Sequence, residues 1–464
     1  MRRDVARHMR SLRSATASFL AVGMFLLIFL VSSSQSSFAI AAFARKYGLP
    51  CSACHDAWPK LNNFGQTFKD NGYQLLNDRD APIWQNPSYW PVAFRITPNW
   101  DAENTGKVAT DTAANGYQSL TIHGFNLTGL DILTAGTLNK DISFLLVPSS
   151  DETGAFHFES AWVRFDNLFH SSWMNVKMGK MELDNLLSEK RILTLSPNGG
   201  YYQFYHYLPY QPAGVPNGNT DPFGIGDNQL GIEYLGHSKN DYNRISMGLY
   251  TSSDGNVDVP ASSTYDGAIT ASTAFNAGSL GLQRIVAQAY VGQAPTYYLT
   301  SGGVDIPGAG RGTRSFARED IYGMFYFGKF DVVPFFGHGS ESGYLTAFTD
   351  TGAPPAYPFR NPSWNNYMVE AHWLPNPQFI MLYRFDAIRM LQQVADSTIM
   401  PSDSGNTTAN TFAVRYYPFM HSRAGFALHG EVSHLSQKNV FSLTTGTLAD
   451  QTYNSYFGGM DFIF

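Results

Sequence analysis

The sequence predicts an all-β transmembrane barrel of about 16 antiparallel strands that carries a small N-terminal α-helical segment. Three observations lead there: an export signal at the start, a long second part that alternates with period two, and a low content of charge. Of 464 residues, 44% are hydrophobic, 15% aromatic and only 15% charged, where a long soluble enzyme usually carries about 25%. Mean hydropathy is slightly negative at −0.20.

The export signal is residues 1–39. Arg2, Arg3, Arg7, Arg10 and Arg13 precede an apolar run from Phe19 to Val31, and a small polar stretch, Ser32 to Ser37, follows it. The run is too short for a spanning helix, which needs about 20 apolar residues. Ser37-Phe38-Ala39 offers small residues at the two positions that a signal peptidase reads, which puts cleavage after Ala39. An uncleaved anchor would use the same export route.

The formal charge of −6 includes a net +4 from the five arginines and one aspartate of that signal, so the mature chain sits near −10. Nucleic acid is excluded as a partner on this balance. The chain has only two cysteines, and no disulfide framework can staple it.

Those cysteines lie in Cys51-Ser52-Ala53-Cys54-His55, the attachment signature of haem c. Two intervening residues let one turn of backbone present both sulfurs to one porphyrin edge, and the next residue brings its imidazole under the ring. Cys51 and Cys54 are therefore the expected covalent attachment points of one haem c, and His55 its axial iron ligand. A thioredoxin-type dithiol would need a βαβ context, and a zinc site would need two more ligands nearby; residues 56–90 supply neither.

Trp58, Leu61, Phe64, Gly65 and Phe68 recur at three- and four-residue intervals, which predicts a helix from about Ala57 to Asn71, ending near Gly72. Its apolar face can cover the haem, with Phe68 and Tyr73 as candidate packing residues, although such a stripe is also ordinary core. Between His55 and Trp100 there is no methionine and no second histidine, so a sixth iron ligand of either kind must come from further along.

The organisation is thus a signal peptide (1–39), a monohaem cytochrome segment (40–90) and a barrel (91–464). In the barrel region, Phe426, Leu428 and Val432 share one face of a strand while His429 and Glu431 occupy the other. Tyr367, Val369 and Trp373 alternate in the same way with Met368, Glu370 and His372. Arg244 and Arg415 mark the polar side of two looser examples. A soluble sandwich would alternate too, but export, aromatic residues near segment ends such as Tyr250, Phe330, Trp373 and Tyr417, and strands of about nine residues favour a membrane barrel. Tyr456, Gly458, Met460, Phe462 and Phe464 alternate to a terminal phenylalanine, like the closing strand of outer-membrane barrels. Residues 182–227 show little strand pattern and are expected to form a long loop, at the surface or folded into the lumen.

Phe43-Ala44-Arg45-Lys46, Cys51-Ser52-Ala53-Cys54-His55, Pro59, Leu61-Asn62, Phe64-Gly65, Phe68-Lys69 and Gly72-Tyr73, followed by a barrel of this length, resemble the fused monohaem cytochrome-porins of the outer membrane. The best-studied members of that family are iron(II)-oxidising cytochromes. The resemblance implies a haem segment that plugs or caps the barrel, accepts electrons from an extracellular donor such as Fe(II), and passes them to a periplasmic cytochrome c or other carrier. It fixes no sixth ligand. Met368, His372 and His429, on polar strand faces, are the candidates from this sequence.

If this counts as enzyme activity, it is outer-sphere Fe(II):cytochrome c oxidoreduction, which needs access and a suitable potential rather than acid-base groups. No Walker loop, dinucleotide fingerprint, H-E-x-x-H or G-x-S-x-G motif occurs in a supporting context. Two alternatives stay open: a diffusion porin gated by its haem segment, and a haem enzyme whose open sixth position binds peroxide or another small ligand.

Overall fold

Period-two alternation folds here into one closed sheet. The computed structural model describes residues 42–57, 60–75, 92–109, 117–150, 154–185, 223–253, 255, 264–296, 312–341, 363–392, 401–418, 425–442 and 447–463. The expected signal peptide, the middle of the 182–227 loop, Trp58 and Phe464 lie outside them.

The N-terminal segment contains α1 (Ala42–Tyr47), α2 (Cys51–Cys54), the short antiparallel pair β1 (His55–Ala57) and β2 (Lys60–Leu61), and α3 (Asn63–Asp70). The barrel follows with β3 (Val92–Ala109), β4 (Tyr117–Asn139), β5 (Ile142–Ser150), β6 (Phe156–Phe165), β7 (Asn175–Glu182), β8 (Asn228–His237), β9 (Asn243–Thr251) and β10 (Tyr265–Asn276). It continues with β11 (Leu282–Thr296), β12 (Gly312–Phe327), β13 (Phe330–Glu341), β14 (Ser363–Asn376), β15 (Phe379–Gln392), β16 (Thr407–Tyr416), β17 (Gly425–Ser442) and β18 (Thr447–Ile463). Each strand pairs antiparallel with its sequence neighbours, and β18 pairs with β3 to close a barrel of sixteen. Closure leaves no exposed sheet edge, the condition for a sheet to sit in hydrocarbon.

The two ends of the barrel differ. At one end the strands are joined by tight turns, as between Phe327 and Phe330 or Asn376 and Phe379, and both the start of β3 and the end of β18 lie there. At the other end the connections are long, including 183–227, 297–311 and 342–362. The strands run from 8 residues in β7 to 23 in β4, so several exceed the 9–11 residues that cross a bilayer and project beyond it.

Side chains sort by parity as the sequence predicts. Leu428, Val432, Tyr367, Val369 and Trp373 point outward and are exposed, whereas His429, Glu431, Met368, Glu370, His372, Arg244 and Arg415 point into the lumen and are buried. Towards the long-loop end the outward face turns polar at Glu319, His338 and Asn365, which share one row across β12, β13 and β14 and mark the edge of the apolar belt.

Two expectations need correction. The helix predicted from Ala57 begins at Asn63, because His55–Ala57 pairs with Lys60–Leu61 and Asn62 then caps the helix with its side chain, accepting from the Gly65 amide at 2.9 Å. Gly72, at φ 76°, ends it as expected, and Tyr73 follows in the same left-handed region at φ 59°. Of the four aromatics offered as membrane-facing, Phe330 and Trp373 do stack on the outer surface at 6.3 Å, but Tyr250 and Tyr417 are buried. Tyr250 lies on the lumen face of β9 and donates its hydroxyl to Glu233 at 3.0 Å, so a polar partner rather than an interface holds it.

If the outward face meets lipid, Val369→Arg in the middle of the belt should cost about 2–4 kcal/mol of barrel stability. Urea titration of folding into vesicles measures this; an unchanged midpoint would mean that this face is not lipid-exposed.

Candidate functional site

The two cysteines sit on one helical turn. Cys51 opens α2 and Cys54 closes it, so both side chains leave the same side of the turn, and His55 continues in extended backbone. The thiols are not joined to each other. Asn62 holds this turn to α3: its amide N–H donates to the Cys54 carbonyl at 2.9 Å, its side-chain Nδ2 donates to the Ala53 carbonyl at 3.0 Å, and its Oδ1 caps α3. Gly65 lets the helix approach, since a Cβ there would collide with the Cys54 carbonyl. One asparagine and one glycine thus set the geometry of the C-x-x-C-H turn.

The segment lies across the lumen near the tight-turn end. Cys51 and Ala57 pack with Ala93, Ile380, Leu382, Ala413, Ala427 and Ile463, which belong to the β15–β18 and β3 wall. On another side, Lys60 reaches Asp331 at 2.5 Å at the start of β13, with Tyr326 5.4 Å beneath its ammonium. The end of α3 meets the β6–β9 wall, where Asp70 pairs with Arg244 at 2.9 Å, Lys69 with Glu182 at 2.5 Å, and Arg164 donates to the Lys69 carbonyl at 2.9 Å. Gln74 donates to the Lys140 carbonyl at 3.1 Å.

Phe68 and Tyr73 are buried. Phe43 packs edge-on against Phe68 and stacks on Tyr73 at 4.9 Å, Tyr47 meets Phe68 edge-on, and Tyr73 stacks on Trp162 of β6 at 6.1 Å. This cluster docks the segment on the side of the lumen opposite Cys51. Phe64, one turn before Phe68, is 40% exposed.

The three candidate distal ligands differ in what they have free. His372 is held at both ring nitrogens, with Nδ1 2.5 Å from Asp331 and Nε2 2.8 Å from Glu370, so it has no lone pair for iron. Met368 packs with Val286, Tyr322, Val333 and Phe335. His429 pairs through Nε2 with Glu431 at 2.9 Å, and its buried Nδ1 has no hydrogen-bond partner. A carboxylate on one ring nitrogen that leaves the other as a bare acceptor is the arrangement of a metal-ligating histidine. His429 is two residues along β17 from Ala427, which packs with Cys51.

These residues fit a haem c. They comprise two unpaired thiols on one turn, an imidazole directly after them, aromatic surface on α3, and a histidine on the facing wall with its tautomer fixed. Burial pushes both thiols up to about 11, the reverse of the low value that a redox dithiol uses. Lys60, Asn62 and Arg244 were not foreseen in these roles. A cap residue before Phe64-Gly65 was readable for Asn62, but nothing local marks a lysine whose partner lies on β13.

The anchors set a pH window. Burial alone would raise the Asp70 carboxyl, but Arg244 holds it below the usual carboxylate range, so its contribution is present above pH about 4 and fades only below that. Burial likewise works against the Lys60 ammonium, but Asp331 holds it above the ordinary lysine value, so its contribution persists up to pH about 10. Asp241, which shares Arg244 with Asp70, is pushed up to about 8 by burial, so protection of residues 42–75 from protease should be flat from pH 5 to 7, and loss of protection inside that range would contradict these anchors. Lys60→Met should weaken docking by about 3 kcal/mol, the low end for a broken buried pair because His372 also faces Asp331.

No protein-family model matches the chain, and no curated protein matches it. Among solved structures the chain is similar to the anion-selective porin from Comamonas acidovorans at 11% identity and TM-score 0.47, over 80% of this chain and 98% of that one. It is similar to OmpT of Vibrio cholerae at 8% identity and TM-score 0.44, over 81% and 98%. The outer membrane channel DcaP of Acinetobacter baumannii gives 9% and 0.45, over 79% and 96%. The sixteen-stranded barrel rests on the chain's own strand pairing.

Proposed function

We propose that this protein is an outer-membrane electron conduit that takes electrons from an extracellular donor, foremost Fe(II), and passes them through one haem c to a periplasmic cytochrome c or other carrier. The observation that supports this best is a Cys-x-x-Cys-His turn with unpaired thiols, fixed inside the lumen of a closed barrel. Barrels of the outer membrane turn tightly on the periplasmic side and carry long loops outside. On that rule the C-x-x-C-H turn faces the periplasm, where a soluble carrier collects the electron, and the donor enters from the loops.

Haem, once bound through Cys51 and Cys54, supplies the one-electron chemistry. The chain's own residues do the rest. His55, and His429 through its open Nδ1, are the residues that would hold the haem iron. Phe64 would cover the haem, with Phe68 one turn further along α3 and Tyr73 just beyond the end of that helix behind it. Lys60 and Asp70 hold the segment in place, so the distance to donor and carrier stays fixed. Arg384, Arg415 and Asp461 point into the lumen yet are at most 1% exposed, so protein covers this stretch of the inner wall. That favours a conduit over a diffusion pore.

The test uses the full chain, matured with haem and purified in detergent. Haem should stay with the denatured polypeptide, and Cys51→Ser with Cys54→Ser should abolish this. The ferric spectrum should be low-spin, and excess Fe(II) should reduce it. His429→Ala should turn it high-spin and open it to carbon monoxide. A wild-type protein that is high-spin, or that Fe(II) leaves oxidised, would refute the iron conduit; an unchanged spectrum in His429→Ala would refute only the distal ligand.

A further inference from the structure

Three carboxyl groups meet at one guanidinium near the tight-turn end of the lumen. Arg244, at the start of β9, gives Nη2 to Asp70 of α3 at 2.9 Å and to Asp184, just after β7, at 2.8 Å, and its Nε lies 3.4 Å from Asp241. Asp241 belongs to the turn between β8 and β9, where it takes a φ of 56° and its amide donates to the Ser238 carbonyl at 2.8 Å. Its carboxyl is within hydrogen-bonding reach of that of Asp70, a contact that needs a proton on one of the two. Asp70, Asp241, Arg244 and Arg284 are all buried.

The charges here do not balance without that proton. Arg284, on β11, holds the Asp241 carbonyl at 2.6 Å and its Oδ2 at 3.5 Å, and is the second cation facing the cluster. Lys69, Arg164 and Lys177 stand nearby but are matched by Glu182 at 2.5 Å, Asp166 at 2.6 Å and Glu233 at 3.2 Å. His237, at the end of β8, turns Nδ1 to the Ser238 carbonyl at 3.0 Å and stays 3.9 Å from Asp241, beyond hydrogen-bond reach. Three carboxyl groups thus face two guanidinium groups out of water, and one proton restores neutrality. Asp70 is held by Arg244 and by Gln66 at 2.9 Å, and Asp184 by Arg244, whereas Oδ1 of Asp241 has no hydrogen-bond partner. Burial and the charge of Asp70 push the Asp241 carboxyl up to about 8, so the proton resides there.

We propose that Asp241 and Asp70 share one proton, which latches the end of the N-terminal segment to the barrel wall and makes that seat sensitive to alkaline pH. With the proton in place, Asp241 donates to Asp70 while Arg244 holds Asp70 and Asp184. When it leaves, two buried carboxylates face each other, and Asp70 is the one that lies on the segment rather than the wall, so the end of α3 yields. A proton held more tightly in the docked state lends stability below its titration, and that stability is lost as pH rises through about 8. Lys60, paired with Asp331, still holds the start of the segment. On the rule that puts tight turns in the periplasm, periplasmic pH sets the latch. Neither thiol takes part, and the latch does not depend on the proposed function.

The experiment uses the full chain in detergent and reads the proton itself. Infrared difference spectra between pH 7 and pH 9 should lose one carbonyl band of a protonated carboxyl group, with a midpoint near 8, and Asp241→Asn should lack that band. Trypsin, normalised on an unfolded substrate, should cut wild type after Lys69 about tenfold faster at pH 9 than at pH 7. In Asp241→Asn the amide mimics the protonated form and donates to Asp70 at every pH, so cleavage should stay slow throughout. Heat-modifiable gel mobility verifies that the variant folds, and Asp70→Asn, which removes the repulsion, should lower the midpoint of the band. No band that titrates in this range, or the same band in Asp241→Asn, would overturn the shared proton. Cleavage that rises with pH in Asp241→Asn as it does in wild type would overturn the latch. A haem that Fe(II) cannot reduce would change neither result.

Discussion

Everything in this molecule depends on how charge is paired inside the lumen. A barrel of sixteen strands encloses more space than the side chains of its own wall can fill, and a peptide that fills it must bring polar backbone and charged groups out of water. The chain solves this by matching the segment to the wall ion by ion: Lys60 to Asp331, Asp70 to Arg244, Lys69 to Glu182. Each pair joins the segment to a different part of the wall, so together they fix its orientation. The pairs contribute little net stability, because desolvation offsets attraction, but breaking one leaves a charge stranded. They therefore act as specificity devices that allow one docked arrangement.

That arrangement has a consequence for chemistry. The Cys51–Cys54 turn is held by Asn62 and Gly65 on one side and by the β15–β18 and β3 wall on the other, at the tight-turn end. At its margin His372 is saturated by Asp331 and Glu370, and Glu370 in turn holds Arg384 at 2.8 Å. This network runs from Lys60 into the barrel wall and occupies both ring nitrogens of that histidine. His429 sits in a smaller network with Glu431 that leaves one nitrogen open. Two histidines on polar faces that look alike in sequence thus differ in which ring nitrogens their neighbours leave open.

The barrel was legible because its physics is local. In Phe426 to Val432 alternate residues must face lipid or lumen, and seven residues are enough to show it. The single turn that carries Cys51 and Cys54 was legible for the same reason, since its geometry is set within five consecutive residues. What stayed hidden depends on distant partners. Lys60 is buried because Asp331 waits 271 positions away, and a lysine beside a proline otherwise looks like a solvated turn. Tyr250 and Tyr417 lie near strand ends, as interface aromatics do, but parity turns Tyr250 inward and a buried carboxylate rewards it. The helix began late because pairing of His55–Ala57 with Lys60–Leu61 competes with helix over residues whose apolar spacing permits both. The meeting of Asp70, Asp184 and Asp241 at Arg244 is invisible without the fold.

The most direct measurement of the central claim places the haem-loaded protein in vesicles with oxidised cytochrome c trapped inside and Fe(II) added outside. The account predicts that the trapped cytochrome c is reduced only when the protein carries its haem, while the vesicles stay closed to small solutes. Vesicles that leak solute, or trapped cytochrome c that stays oxidised beside a fully loaded protein, would contradict it.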